Sequence, residues 1–350
     1  MRRVKWVDSV RFLAIFLIMT THYLAAFFPF ALSLWEPGPF FWLFGGITGK
    51  LSVAVFFVLL GYYAGTPKPC SFSGFGLYTV RRYFQLAFFA FLATLFFILG
   101  GYAVTWLFHT PDEAVFRILS DGPRYNLIYL LQDTFLLEDH YIDTLWCMQD
   151  LMLASVACRL FGYLPDRIRP GIRAFLACAL IALLLVLNAA FFIWTCVGLM
   201  GCLLRLAVEA ARTRPRLTAP FPRLLFFAVS LILLKLPLSE CPLLYFLEGI
   251  IGFVWVYLIV FTDGAQRLLS RSPLPQLGKL SLGLFVIHAV VYSLLGSSLI
   301  PLLRGRLSDA QAAALFFIPA AALSFLSAWL LHRAYDAVRR TRRREPVSAR

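Results

Sequence analysis

The sequence predicts an all-α fold, a polytopic membrane helix bundle of about ten transmembrane helices. Of its 350 residues, 61% are hydrophobic and only 14% charged, with a mean hydropathy of +0.79. A soluble domain of this length would be nearer half apolar and a quarter charged. The apolar residues also fall in runs of about 20, the length that crosses hydrocarbon as a helix. Between the runs lie short, basic connections, the pattern that orients a membrane protein.

Taken in order, the first span, 9–31, belongs to a stretch that carries Asp8, Arg11 and His22. It exceeds the apolar core of about 7–15 residues in a cleaved leader and is interrupted by charge, so it reads as a membrane helix. Further spans fall at 47–64, 83–104, 144–163, 172–187, 188–208, 223–239, 243–262, 280–300 and 310–332. The fifth and sixth adjoin, with only a weak turn between Leu187 and Phe191. With the N-terminus inside, 26 of the 32 Lys and Arg residues fall on the cytosolic side and 6 outside. Both termini are therefore expected in the cytosol, in a multi-pass protein of the cell's inner (plasma) membrane.

Residues 1–338 read as one transmembrane domain and 339–350 as a basic, disordered cytosolic tail drawn to anionic lipid. The connection from Thr105 to Asp143 is long and acidic; within it, Tyr125 to Leu137 is apolar but too short to span, which fits an interfacial or re-entrant helix. A net charge of +14 does not point to nucleic acid here, because the bases are dispersed among the loops. The seven cysteines show no metal-ligand spacing, so neither a metal nor a disulfide framework is expected. The absence of an evident internal repeat weighs against a transporter built from duplicated halves.

Polar groups inside the spans are the candidates for chemistry. On one helix Arg11 and His22 differ by about 20° in azimuth and about 16 Å in height, and Asp8 can pair with Arg11 from the neighbouring turn. Such a stripe is either functional, or an anchor helix whose Arg11 snorkels and whose His22 bonds a neighbour. Glu248, in a glycine-rich segment, and Asp150, early in the fourth span, could each orient an imidazole or pair with a lysine such as Lys235. Ser281 and His288 stand two turns apart on one face, with His288 read as a structural hydrogen-bonding residue. Arg81 and Arg82, ahead of the third span, suit a phosphate at a helix N-terminus, or serve as ordinary cytosolic anchors. Gly61 and Gly65 would let the second helix approach another closely, or end it.

Four segments together resemble one family. Trp6-x-Asp8-x-x-Arg11 followed by His22 is similar to the Arg-x10-His opening helix of membrane-bound acyltransferase family 3, the integral membrane O-acyltransferases of bacterial surface glycans. Phe56-Phe57-Val58-Leu59-Leu60-Gly61-Tyr62 resembles its Phe-Phe-x-Ile-Ser-Gly-Tyr motif, with Leu60 in place of serine. Leu145-Trp146 resembles its Leu-Trp-Phe-Leu start of a middle span, and Gly278-Lys279-Leu280-Ser281 through His288 its Ser-x6-His helix. Gln85 stands where a second arginine of the family's cytosolic pair would fall.

The resemblance implies an O-acyltransferase that moves an acyl group, acetyl being the simplest, from cytosolic acyl-CoA to a hydroxyl of a polysaccharide or lipid-linked sugar. His22 would be the general base or the acylated nucleophile, with Glu248 or Asp150 as its partner. Arg11, Asp8, Arg81 and Arg82 would hold the donor. Membrane lipids are the other expected partners, and the oligomeric state is left open. A proton-coupled transporter or lipid-linked glycan flippase, with His22, Glu248 and His288 as a relay, is the rival reading.

Overall fold

The computed structural model describes residues 4–27, 49–64, 72–108, 127–137, 142–164, 168–211, 242–271, 273–303, 306–307 and 309–344. Long helices dominate these residues: α1 (Lys5–Phe27), α2 (Gly49–Ala64), α3 (Phe72–Phe108), α4 (Leu127–Thr134), α5 (Trp146–Gly162) and α6 (Pro170–Ala211). They continue with α7 (Pro242–Val260), α8 (Asp263–Arg271), α9 (Leu274–Leu277), α10 (Ser281–Leu303) and α11 (Asp309–Arg344). Among the described residues, four helices are long and apolar enough to cross a membrane, or five if the bent pair α7–α8 is one span. The chain is thus a multi-pass helical membrane protein. Its residues divide into two units, one of Met1–Thr21, Trp35–Tyr83 and Cys147–Gly278, the other of His22–Leu34, Phe84–Trp146 and Lys279–Arg350.

The first unit is built on α2, α6 and α7, which pack against one another pairwise. Glycine sets how close they come. A Cβ on Gly61 would run into the carbonyl oxygen of Gly198, and one on Gly201 into that of Val58, so the α2 and α6 backbones meet where no larger residue fits. The Cys202 thiol, 3.4 Å from the Gly61 carbonyl oxygen, donates to it at the crossing. On α7, a Cβ at Gly249 would collide with Val197, and one at Gly252 would lie 3.0 Å from the Ala54 Cβ.

α6 is two limbs rather than one rod. Asn188 leaves helical geometry (φ −165°, ψ 93°), and its Oδ1 accepts from the Phe191 N–H at 3.1 Å, capping the second limb. The Cys196 thiol reaches the Ile181 carbonyl at 3.8 Å across 15 residues. In a straight helix those positions would lie about 22 Å apart, so the chain doubles back. Ala177 and Ile181 accordingly share a buried core with Cys196, Leu199 and Cys202. The break falls at the expected junction between 172–187 and 188–208.

In the second unit α10 packs on α11, where Gly283 admits the Ala328 backbone; a Cβ there would lie 3.2 Å from the Ala328 carbonyl oxygen. The second half of α3 joins them through Gly100, seated on the Leu294 side chain, and through Phe88 and Phe89, whose rings lie 5.6 and 5.5 Å from that of Tyr335. The 3-10 turn Asp143–Leu145 packs on α10 and buries Leu145. α4 turns Leu127, Ile128 and Leu131 outward and buries Asp133, as an interfacial helix with an apolar outer face would. Of the four long apolar helices among the described residues, Leu274–Gly296 is the most enclosed: 78% of its most apolar stretch is buried, against 33% for Leu315–Arg340.

Two local expectations are corrected, and one helix is added. Arg81 and Arg82 are not at a helix N-terminus, because α3 begins at Phe72 and their backbone N–H groups lie inside the helix. Hydropathy registers only the apolar part of a helix, and this one extends well beyond it. The basic segment after the eighth span contains α8, bent 87° from α7, where Gln266 donates to the carbonyls of Ile259 and Val260 at the α7 end. The arginines from Arg339 to Arg344, expected to be disordered, continue α11, consistent with the good helix propensity of arginine. Lys235 and the span 223–239 lie outside the described residues, as does most of the acidic outer connection.

Candidate functional site

Nothing between Lys5 and Phe27 interrupts a helix: there is no proline or glycine, and Asp8 lies in the first turn. α1 therefore carries Arg11 in the first unit and His22 in the second.

In the second unit His22 meets His288. His22 Nδ1 and His288 Nε2 are 2.9 Å apart, and the rings stack with centroids 5.1 Å apart and planes 24° from parallel. The α10 helix that brings His288 there places Phe285 and Tyr292 on the same face, one turn to either side. Their rings stand roughly edge-on to His288, at 6.2 and 5.7 Å. Tyr292 in turn meets Tyr23, the residue after His22, at 5.4 Å, and Tyr23 meets Phe317 at 5.1 Å. His288 is fully buried, and its Nδ1 lies 2.8 Å from the Leu284 carbonyl oxygen one turn back. His22 itself is half-buried. The site thus offers one partly accessible imidazole, held by a second that is enclosed in aromatic rings. Ser281, on the same helix as His288, is buried two turns away.

In the first unit Arg11 pairs with buried Asp8 at 3.8 Å and lies over the Tyr63 ring, 5.7 Å from its centroid. The neighbouring Tyr62 takes a second guanidinium: Arg205 lies 5.4 Å from its ring centroid and donates through Nε to Glu209 at 2.8 Å. The glycine crossing explains this placement, since Arg205 follows Gly201 by one helical turn and Tyr62 follows Gly61 directly. Trp6 completes the cluster, 6.3 Å from Tyr62. Arg205 was not among the residues expected at a site. Its legible signal is an Arg-x3-Glu pair ending a glycine-rich span.

The remaining expected residues are distributed over the first unit. Arg81 is exposed, whereas Arg82 donates through Nε to Ser155 at 3.3 Å. One turn from Ser155, Arg159 lies between the rings of Tyr78 and Tyr163, at 5.2 and 5.0 Å. Asp150 is half-buried on α5. Glu248 is buried on α7, one turn from Tyr245, whose hydroxyl accepts from the Lys50 ammonium. Among the described residues, no group of three His, Cys, Asp or Glu side chains is placed to hold a metal ion.

A family model described as an acyltransferase domain matches residues 4–333, nearly the whole chain. No curated protein and no solved structure matched it.

Proposed function

The chain belongs to the acyltransferase 3 family, and on that premise we propose that it transfers an acyl group, acetyl being the simplest, from cytosolic acyl-CoA to a sugar hydroxyl of a surface polysaccharide or lipid-linked glycan. The observation that carries this reading is the half-buried His22 held at 2.9 Å by His288. A sugar hydroxyl is a poor nucleophile until a base takes its proton, and imidazole is suited to that at neutral pH. His22 takes the hydroxyl proton as the oxygen bonds to the thioester carbonyl carbon. The carbon–sulfur bond then breaks, and the leaving thiolate takes the proton from the His22 imidazolium. In the two-step variant the acyl group rests on His22 first, and trapping acyl-histidine from acyl-CoA alone would distinguish it.

The donor's phosphates cannot enter hydrocarbon, so they belong at the cytosolic edge. Arg11, braced by Asp8, leads that assignment; Arg81 is exposed, and Arg82 is already engaged with Ser155. The proposal includes a ten-span layout with both termini cytosolic, an acyltransferase domain over 1–338, and residence in the inner membrane. Glu248 and Asp150 keep a charge-balancing part, while His22 Nδ1 is hydrogen-bonded to His288. Purified full-length protein given acetyl-CoA and an envelope glycan extract should release free CoA steadily, and His22→Ala should not. Movement of glycan or protons without CoA release would sink the reading in favour of a transporter.

A further inference from the structure

Resting on the reading that His22 takes the acceptor's proton, we infer that His288 is a positioning residue that fixes the His22 tautomer and makes Nε2 the basic atom. Counting N–H donors assigns the protons. A backbone carbonyl can only accept, so the 2.8 Å contact with Leu284 requires the His288 N–H to be on Nδ1. A neutral imidazole has one N–H, which leaves His288 Nε2 as an acceptor. The 2.9 Å contact is then a bond only if His22 Nδ1 donates. Neutral His22 therefore carries its proton on Nδ1 and its basic lone pair on Nε2.

The other assignments fail. A proton on His22 Nε2 would set two lone pairs against each other at 2.9 Å. Moving the His288 proton to Nε2 would set its Nδ1 lone pair against the Leu284 oxygen. Nor is the His288 ring free to turn, being fully buried between the edges of Phe285 and Tyr292. The same bond serves after proton transfer. The imidazolium formed at His22 Nε2 still donates from Nδ1 to His288, so the site needs no rearrangement as charge develops. This is the task that an acid, Glu248 or Asp150, was expected to perform, done by a neutral ring.

The test has two arms. In full-length protein labelled with ¹⁵N-histidine, the chain's five histidines give resolvable ring nitrogens, with His22 assigned by its loss in His22→Asn. Neutral His22 should show the Nδ1–H pattern; an Nε2–H pattern overturns the inference whether or not the protein transfers acyl groups. In the CoA-release assay with acetyl-CoA and envelope glycan extract, His288→Leu should lower kcat by at least about tenfold, the mark of a wrong tautomer. Its KM for acetyl-CoA should stay within about twofold. His288→Gln, whose Oε1 can accept where Nε2 did, should recover most of the loss. Wild-type kcat in His288→Leu, or equal damage in the two variants, would overturn the positioning role.

Discussion

Arg11 lies over the Tyr63 ring with Asp8 beside it, a placement that uses the planar shape of the guanidinium as well as its charge. Lysine would keep the charge and lose both the planar stack and the fork. Arg11→Lys should therefore weaken acetyl-CoA binding by about 1.5–3 kcal/mol, the worth of a hydrogen bond to a charged group, as read by calorimetry. Unchanged binding in a folded Arg11→Ala protein would remove Arg11 from the donor site. At this scale the sequence exposed the members better than their partnerships. His22 and His288 each stood out as polar groups in apolar runs, but their bond spans 266 positions, and nothing local encodes it. Arg205 read as one more topology charge, because its place beside Tyr62 depends on how closely two backbones cross.

That crossing is the decisive feature among the elements of the first unit. Gly61, Gly198 and Gly201 let α2 and α6 meet backbone to backbone, and the crossing brings Tyr62 and Arg205 together. Gly61→Val should cost at least about 1–3 kcal/mol of overpacking and lower the unfolding temperature. Gly76→Ala, with open space at its Cβ, should be neutral or gain up to about 1 kcal/mol of helix propensity. Equal unfolding temperatures for wild type and Gly61→Val would contradict the crossing. Glycines near span ends and the break at Asn188 were legible, since a polar residue in an apolar run marks a turn. The start of α3 at Phe72 and the whole of α8 were not, because both lie in segments that hydropathy assigns to water.

Over the whole molecule the apolar surface states its solvent: Val186, Trp106, Ile318 and Phe175 are all at least 70% exposed, as side chains facing hydrocarbon would be. The proposed orientation makes a direct prediction. A cysteine placed at Asp112 should react with an impermeant reagent added from outside, and one at Arg214 should not; both positions lie outside the described residues. The reverse pattern would move every proposed site to the wrong side. The most direct test of acyl transfer through His22 is the mass of the surface glycan from cells carrying either wild-type protein or His22→Ala. The account predicts an acyl increment with the wild type. It also predicts a drop of about 10²–10⁴-fold in the initial rate of acylation with His22→Ala, though the variant is still inserted in the membrane. The same acyl content, acquired at the same rate in both, would contradict it.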